Sequence, residues 1–513
     1  MITSKINRSS IFYKIYTRLI FTIIVILFLS PEHIFMQTIS RDKGLFESAL
    51  DIGDNTLPGK LLYNFEKDEY LITGSGNNIW AEEDEFFFVP RKVDGDLFLT
   101  ANITWDDNGK HEHRKAGLMI RSGMDNDDAY VDVVLHGDGL LSMQYRPVKG
   151  GETFELQAPV KIEASLLLDK TGDQFTFGLR QKDGTILNVG TITVPLIGDL
   201  FAGLVVCSHD STKYETALFS NVGFNLVKTA EMDNRIIEST LEIFDIESGV
   251  RKIIRRAKEH FEAPNWSRDG EYLLYNSKGK LYKISINGGF PELVNTSFAN
   301  NCNNDHGISP DGKKIVISHH SEDGNSRIYT LPVDGGEPKL ITENGPSYWH
   351  GWSPDGNRLA YCAERNGEYD VYTISVEGGI ESRLTDAPGL DDGPDYSPDG
   401  KHIFFNSNRT GQMKIWRMNI DGSEQKQWTP DDDYGDWFAH PSPDSKWLVF
   451  ISYDKNVEGH PPNKDVVLRL MQMDGGDPII IAKLFGGQGT INVPSWSPDS
   501  KKFSFVSYRL VSE

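Results

Sequence analysis

The chain has 513 residues, too many for one ordinary core, and its 38% hydrophobic content with 48 glycines and 24 prolines suits a turn-rich β protein rather than a disordered one. A formal charge of −22 leaves little basic surface for phosphate and argues against a nucleic-acid partner. Cys207, Cys302 and Cys362 are too few and too scattered for a disulfide framework or a zinc site, and are expected to be buried free thiols.

In residues 1–40, Lys5, Arg8, Lys14 and Arg18 precede the apolar run 19–29 (LIFTIIVILFL). A basic region before an apolar core of that length reads as a secretory signal and is short for a membrane span. No clean small-residue cleavage site follows, so a retained N-terminal membrane anchor is the other reading. Either way the rest is expected to be exported, to the periplasm or outside the cell.

Residues 44–227 alternate apolar and polar side chains in short runs, among them 96–105 (DLFLTANITW), 115–121 (KAGLMIR), 129–135 (AYVDVVL) and 140–146 (LLSMQYR). Period-two runs broken by Asp-Gly and Lys-Thr-Gly-Asp turns predict antiparallel strands with one buried face, and eight or more of them predict a two-sheet, jelly-roll sandwich. The order KAGLMIR, a strand ending in HGDG, then FAGLVVCSHD and ALFSNVGF resembles the concanavalin-like (laminin-G-like) sandwich family. The resemblance implies glycan binding, for which Trp80, Trp105, His111, His113 and Arg121 are available; a packing or spacer module is the plainer alternative.

Residues 234–513 are organised by a turn that recurs six times: NWSRDG at 265–270, GISPDG at 307–312, GWSPDG at 351–356, DYSPDG at 395–400, HPSPDS at 440–445 and SWSPDS at 495–500. A repeat of roughly 40–50 residues made of short strands predicts propeller blades. Six inner strand pairs but only five outer pairs follow from the pattern. The missing pair is found upstream, at 240–246 (TLEIFDI) and 250–256 (VRKIIRR), which predicts an all-β, six-bladed ring closed by N-terminal outer strands. The turn, the third-strand aromatics and the Leu-Thr endings resemble the TolB-like (WD40-like, PD40-repeat) propeller family. That resemblance implies an envelope protein or glycan as partner.

The turns belong to one face, so function is expected on the other, around the axis. His306, His350, Asp392 and His440 precede inner strands there, with Tyr348, Trp437 and Asn492 nearby as ligand-binding candidates. The loop 454–465 (DKNVEGHPPNKD) is longer than its counterparts and offers Glu458 and His460, and the Gly-rich run after it offers Gln488. His350, His440, His460 and Gln488 would suit one divalent ion, with Mn, Zn, Ni or Ca as the choices. The run from Ala439-His440-Pro441 through Glu458-Gly459-His460 to Arg469 also resembles oligogalacturonate lyase propellers. This implies His440, His460 and Arg469 as catalytic residues of a metal-dependent polysaccharide lyase or hydrolase. The chain departs from those lyases in blade number and in lacking a His-rich segment after Trp496. Two functions are therefore weighed: a non-catalytic binding module of the cell envelope, and that lyase.

Overall fold

The computed structural model describes residues 43–106, 111–182, 186–227 and 235–512. The basic and apolar run of residues 1–40 lies outside them. Among the described residues all regular elements are β-strands except one 3-10 turn at Gln488–Thr490.

The N-terminal half forms two antiparallel arrays. In one, Lys115–Arg121 lies between Leu200–Cys207 and Tyr130–His136; in the other, Asp96–Trp105 lies between Glu215–Val227 and Ser165–Thr171. Their facing side chains make one core, with Leu97, Leu99 and Ala101 from the second array meeting Leu118, Ile120, Val131 and Val133 from the first. The alternation that predicted strands is visible in Glu69–Gly74, where every second residue is buried. Arg121 offers nothing to a ligand: it is fully buried 3.6 Å from Asp84, which also holds Arg146 through two bonds of 2.8 Å. Trp105 lies under the Arg114 guanidinium at 4.1 Å, and Trp80 is 36% exposed.

The C-terminal half contains five four-stranded blades, within residues 262–293, 302–340, 347–383, 391–427 and 434–486. Each repeated turn is built the same way. In the blade of 347–383, Ser353 Oγ donates to Asp355 at 2.6 Å and accepts the Arg358 N–H at 2.9 Å, while Gly356 takes φ 72. Serine and aspartate satisfy the turn's backbone locally, and glycine supplies the left-handed residue. Ser445 and Ser500 stand in the glycine's place at φ 60 and 62, a conformation that side chains with a Cβ adopt only under strain.

Lys502–Ser512 pairs along its length with Arg235–Asp245, which pairs in turn with Arg251–Ala257, and Trp496 bridges to Phe503. Leu187 pairs with Lys252, so the second N-terminal array and these strands form one continuous ten-stranded sheet. Glu242, fully buried at that seam, accepts two bonds from Arg251, at 3.0 and 2.9 Å. The three cysteines are free and buried, as expected.

Candidate site at the propeller mouth

A cavity of about 450 Å³ opens where the inner strands begin, lined by Asn303, Asn304, Asp305, Tyr348, His350, Tyr369, Asp392, His460 and Gln488, among others. His350 is placed there by a β-bulge: Trp349 pairs with Tyr361 and Gly351 with Ala360, leaving His350 as the extra residue. A bulge re-aims a side chain that regular alternation would send elsewhere. His350 Nε2 lies 3.1 Å from Asp392 Oδ1, and its ring stacks on Phe438 at 5.8 Å. The other Asp392 oxygen is 3.9 Å from His460 Nε2, and His460 stands edge-on to buried Trp437 at 4.5 Å. Behind them Asp305 accepts from Asn303 at 2.6 Å and Asn492 at 2.9 Å.

The electrostatics follow from these neighbours. Burial works against charge on His350, but the Asp392 carboxylate, Asp305 and the Asn492 carbonyl outweigh it and raise the pKa to about 9. Burial would likewise raise Asp392, yet His350 and His460 bring it down to about 2. Burial lifts Asp305 to about 6, with His350 opposing and Asp392 reinforcing it. Burial lowers the pKa of His460, with Asp392 opposing. His350 Nδ1 is sealed from solvent without a partner of good hydrogen-bond geometry. An adjoining cavity of about 350 Å³ shares Asn303, Asn304 and Gln488 and contains Glu262, which burial and Asp305 lift to about 7. At neutral pH the mouth is thus an ionised histidine–aspartate pair surrounded by amides, phenols and reluctant acids.

The structure brings together His350, Asp392, His460, Gln488 and Tyr348, with Trp437 and Asn492 packed behind them. It separates the rest. His440 stands two residues before its turn serine, Ser442, whereas His350 stands three before Ser353. Register shifts interrupt simple alternation in both strands, and His440 is held away from the mouth by its own partners. Its Nδ1 lies 3.1 Å from Asp395 and its Nε2 2.8 Å from the Ile491 carbonyl. His306 is fully buried with Nε2 3.4 Å from the Leu274 carbonyl, and burial lowers its pKa to about 4. Arg469 binds Asp436 at 3.0 Å and Asp432 at 2.6 Å, outside the cavity lining, and Glu458 is exposed and also off the cavity.

The expected metal set of His350, His440, His460 and Gln488 therefore does not assemble, because His440 faces elsewhere. Among the described residues the only trio of His, Cys, Asp or Glu donor atoms within 4.8 Å of one another is Asp125, Asp127 and Asp128, all contacted by Lys149. Nor does the catalytic trio His440, His460 and Arg469 share a site. Asp305, Tyr369 and Glu262 escaped sequence reading because no motif marks them. The one available signal was that Asp305 adjoins His306 at the head of an inner strand.

The family model for PD40, the TolB beta propeller domain, matches residues 350–464. The uncharacterized protein Atu1656 of Agrobacterium fabrum is 54% identical over 273 residues, covering 53% of this chain and 93% of that protein. A solved structure described as a TolB candidate, from Agrobacterium tumefaciens, is 53% identical, with a TM-score of 0.52 over 53% of this chain and 99% of that one. The Tol-Pal system protein TolB of Francisella tularensis is 26% identical over 31% of this chain and 39% of its own length. Through its C-terminal half the chain belongs to the TolB-like β-propeller family.

Proposed function

We propose that the protein is an exported, non-catalytic binding module of the cell envelope that presents its propeller mouth to a hydrogen-bonding partner, a glycan in the first instance. In this reading residues 44–227 are a concanavalin-like jelly-roll sandwich. Residues 234–513 are a six-bladed ring, with Arg235–Asp245, Arg251–Ala257, Lys502–Ser512 and the Trp496 bridge as its sixth blade. The observation that carries the reading is the composition of the mouth. Asn303, Asn304, Gln488, Tyr348, Tyr369 and the His350–Asp392 pair supply donors and acceptors in both senses, as sugar hydroxyls require. The lyase reading draws less support, since His440 of its metal set and its arginine are engaged elsewhere.

The test is affinity electrophoresis of the purified protein in uronate-containing and neutral polysaccharides, with Asp392→Asn beside the wild type. Retardation by at least one glycan, weakened about tenfold or more in the variant, is expected. A correctly folded protein that no glycan retards, or whose retardation ignores the substitution, removes the glycan and leaves an envelope protein as the partner to seek. Accumulation of an ultraviolet-absorbing unsaturated product in the same mixtures would instead restore the lyase.

A further inference from the structure

Away from the propeller, three imidazoles meet beside the first N-terminal array. Ring centroids of His111 and His209 are 4.5 Å apart, those of His113 and His209 5.4 Å, and those of His111 and His113 5.9 Å. Three imidazoles around one tetrahedral ion, each nitrogen about 2.1 Å from it, have centroids about 5 Å apart, so the ring separations match those around a shared ion.

Two braced turns carry the rings. In the first, the Arg114 N–H donates to the His111 carbonyl at 3.3 Å, and the N–H groups of Gly137 and Asp138 donate to the carbonyls of Arg114 and Glu112, both at 3.0 Å. In the second, Ser208 Oγ donates to the Asp210 carbonyl at 2.7 Å and lies 3.2 Å from the Gly76 carbonyl, while the Asp210 carboxylate is taken up by Thr212 and Lys213. Between them His209 is held at φ 60, where a residue with a Cβ is strained. Strain of this kind persists only where its surroundings enforce it, and it gathers at ligand sites. His209 Nδ1 is buried and has no hydrogen-bond partner.

We propose that His111, His113 and His209 bind one borderline divalent transition ion of the zinc type, with water or Glu112, 3.4 Å from His113, in the fourth place. Imidazole donors select zinc, cobalt, nickel or copper over calcium and magnesium. In the rotamers present the three donor nitrogens do not all close to within 4.8 Å, so capture requires rotation of His111 and the exposed His113 about their side-chain bonds onto the fixed His209. The ion would then clip the 111–113 turn to the 208–210 turn.

The test is titration of untagged, chelator-dialysed protein with Co²⁺ in the visible region. One cobalt per chain with the intense bands of tetrahedral coordination, displaced by Zn²⁺, is expected. His111→Gln and His209→Gly should each weaken binding at least tenfold, and glycine suits the backbone at 209, so that variant keeps its fold by circular dichroism. His350→Gln, at the propeller mouth, should leave the titration unchanged. Absence of stoichiometric cobalt, binding undiminished in the two sandwich variants, or binding lost in His350→Gln overturns the assignment.

Discussion

Two histidine–aspartate pairs sit along the same propeller axis, and they differ in what they leave unsatisfied. His350 lies 3.1 Å from Asp392 and His440 3.1 Å from Asp395, with the two rings 2% and 1% exposed. Distance and burial do not tell them apart. His440, however, spends its second nitrogen on the Ile491 carbonyl, and Trp496 Nε1 donates to its own carbonyl at 2.9 Å. His350 Nδ1 is sealed from solvent near the Asn492 carbonyl, but its aspartate turns an oxygen toward His460 and the cavity. The first pair is saturated and holds the ring together; the second retains capacity for a ligand.

The largest effect should come from breaking the saturated pair. His440→Ala strands the Asp395 carboxylate, whose pKa burial already raises, together with the Ile491 carbonyl. Removing one partner of a buried pair costs about 3–5 kcal/mol, read by denaturant unfolding at pH 7. A loss below about 1 kcal/mol would break the comparison, because it would put His440 on the same footing as a ligand-facing residue.

Next comes Glu262, in the adjoining cavity, where no cation relieves burial. Its folded pKa, about 7 against an ordinary 4.5, means that the carboxylate is protonated more readily in the folded state. It therefore destabilises the fold as pH rises through 7 and has no such effect below the ordinary value. Glu262→Gln should stabilise the protein by on the order of 3 kcal/mol at pH 8 and by almost nothing at pH 4. Equal stabilities of variant and wild type at pH 8 would mean that the site is wetter than its burial implies.

His350 has the same pH slope, but here the charged form is the one the fold favours, so substitution has the opposite effect. Its folded pKa, about 9, stands above the ordinary 6.5, so its contribution is complete below the ordinary value and is lost as pH rises through 9. His350→Gln should be destabilised by about 2 kcal/mol at pH 6, with the gap to wild type closing by about pH 10. A gap that stays constant across that range would assign the loss to packing on Phe438 rather than to charge.

What the sequence makes legible here follows from how local each determinant is. The Ser-Pro-Asp-Gly turns could be read because serine, aspartate and glycine satisfy and shape four or five consecutive residues. His460 and Gln488 could be read because the extra loop length announces itself. The bulge at His350 could not, since one unpaired residue leaves no compositional trace. Nor could the saturation of His440, whose partners Asp395 and Ile491 come from two other inner segments. Asp305 went unseen because its surroundings, not its motif, make it unusual.

The smallest effect on stability, and the sharpest on binding, should belong to His460→Ala. The ring is only partly buried, its Asp392 contact is a long 3.9 Å, and its main packing is edge-on to Trp437 and Phe438. Losing an exposed-side aromatic contact of this kind costs about 1 kcal/mol or less. Removing it also strips a wall from the cavity and the imidazole that faces the free oxygen of Asp392, so glycan retardation should fall about tenfold while the unfolding midpoint barely moves. His440→Ala should do the reverse, once compared at a temperature where it is still folded. If both substitutions changed retardation in proportion to their cost in stability, the mouth would be a structural feature of the ring, and the distinction between a saturated and an open pair would carry no functional meaning.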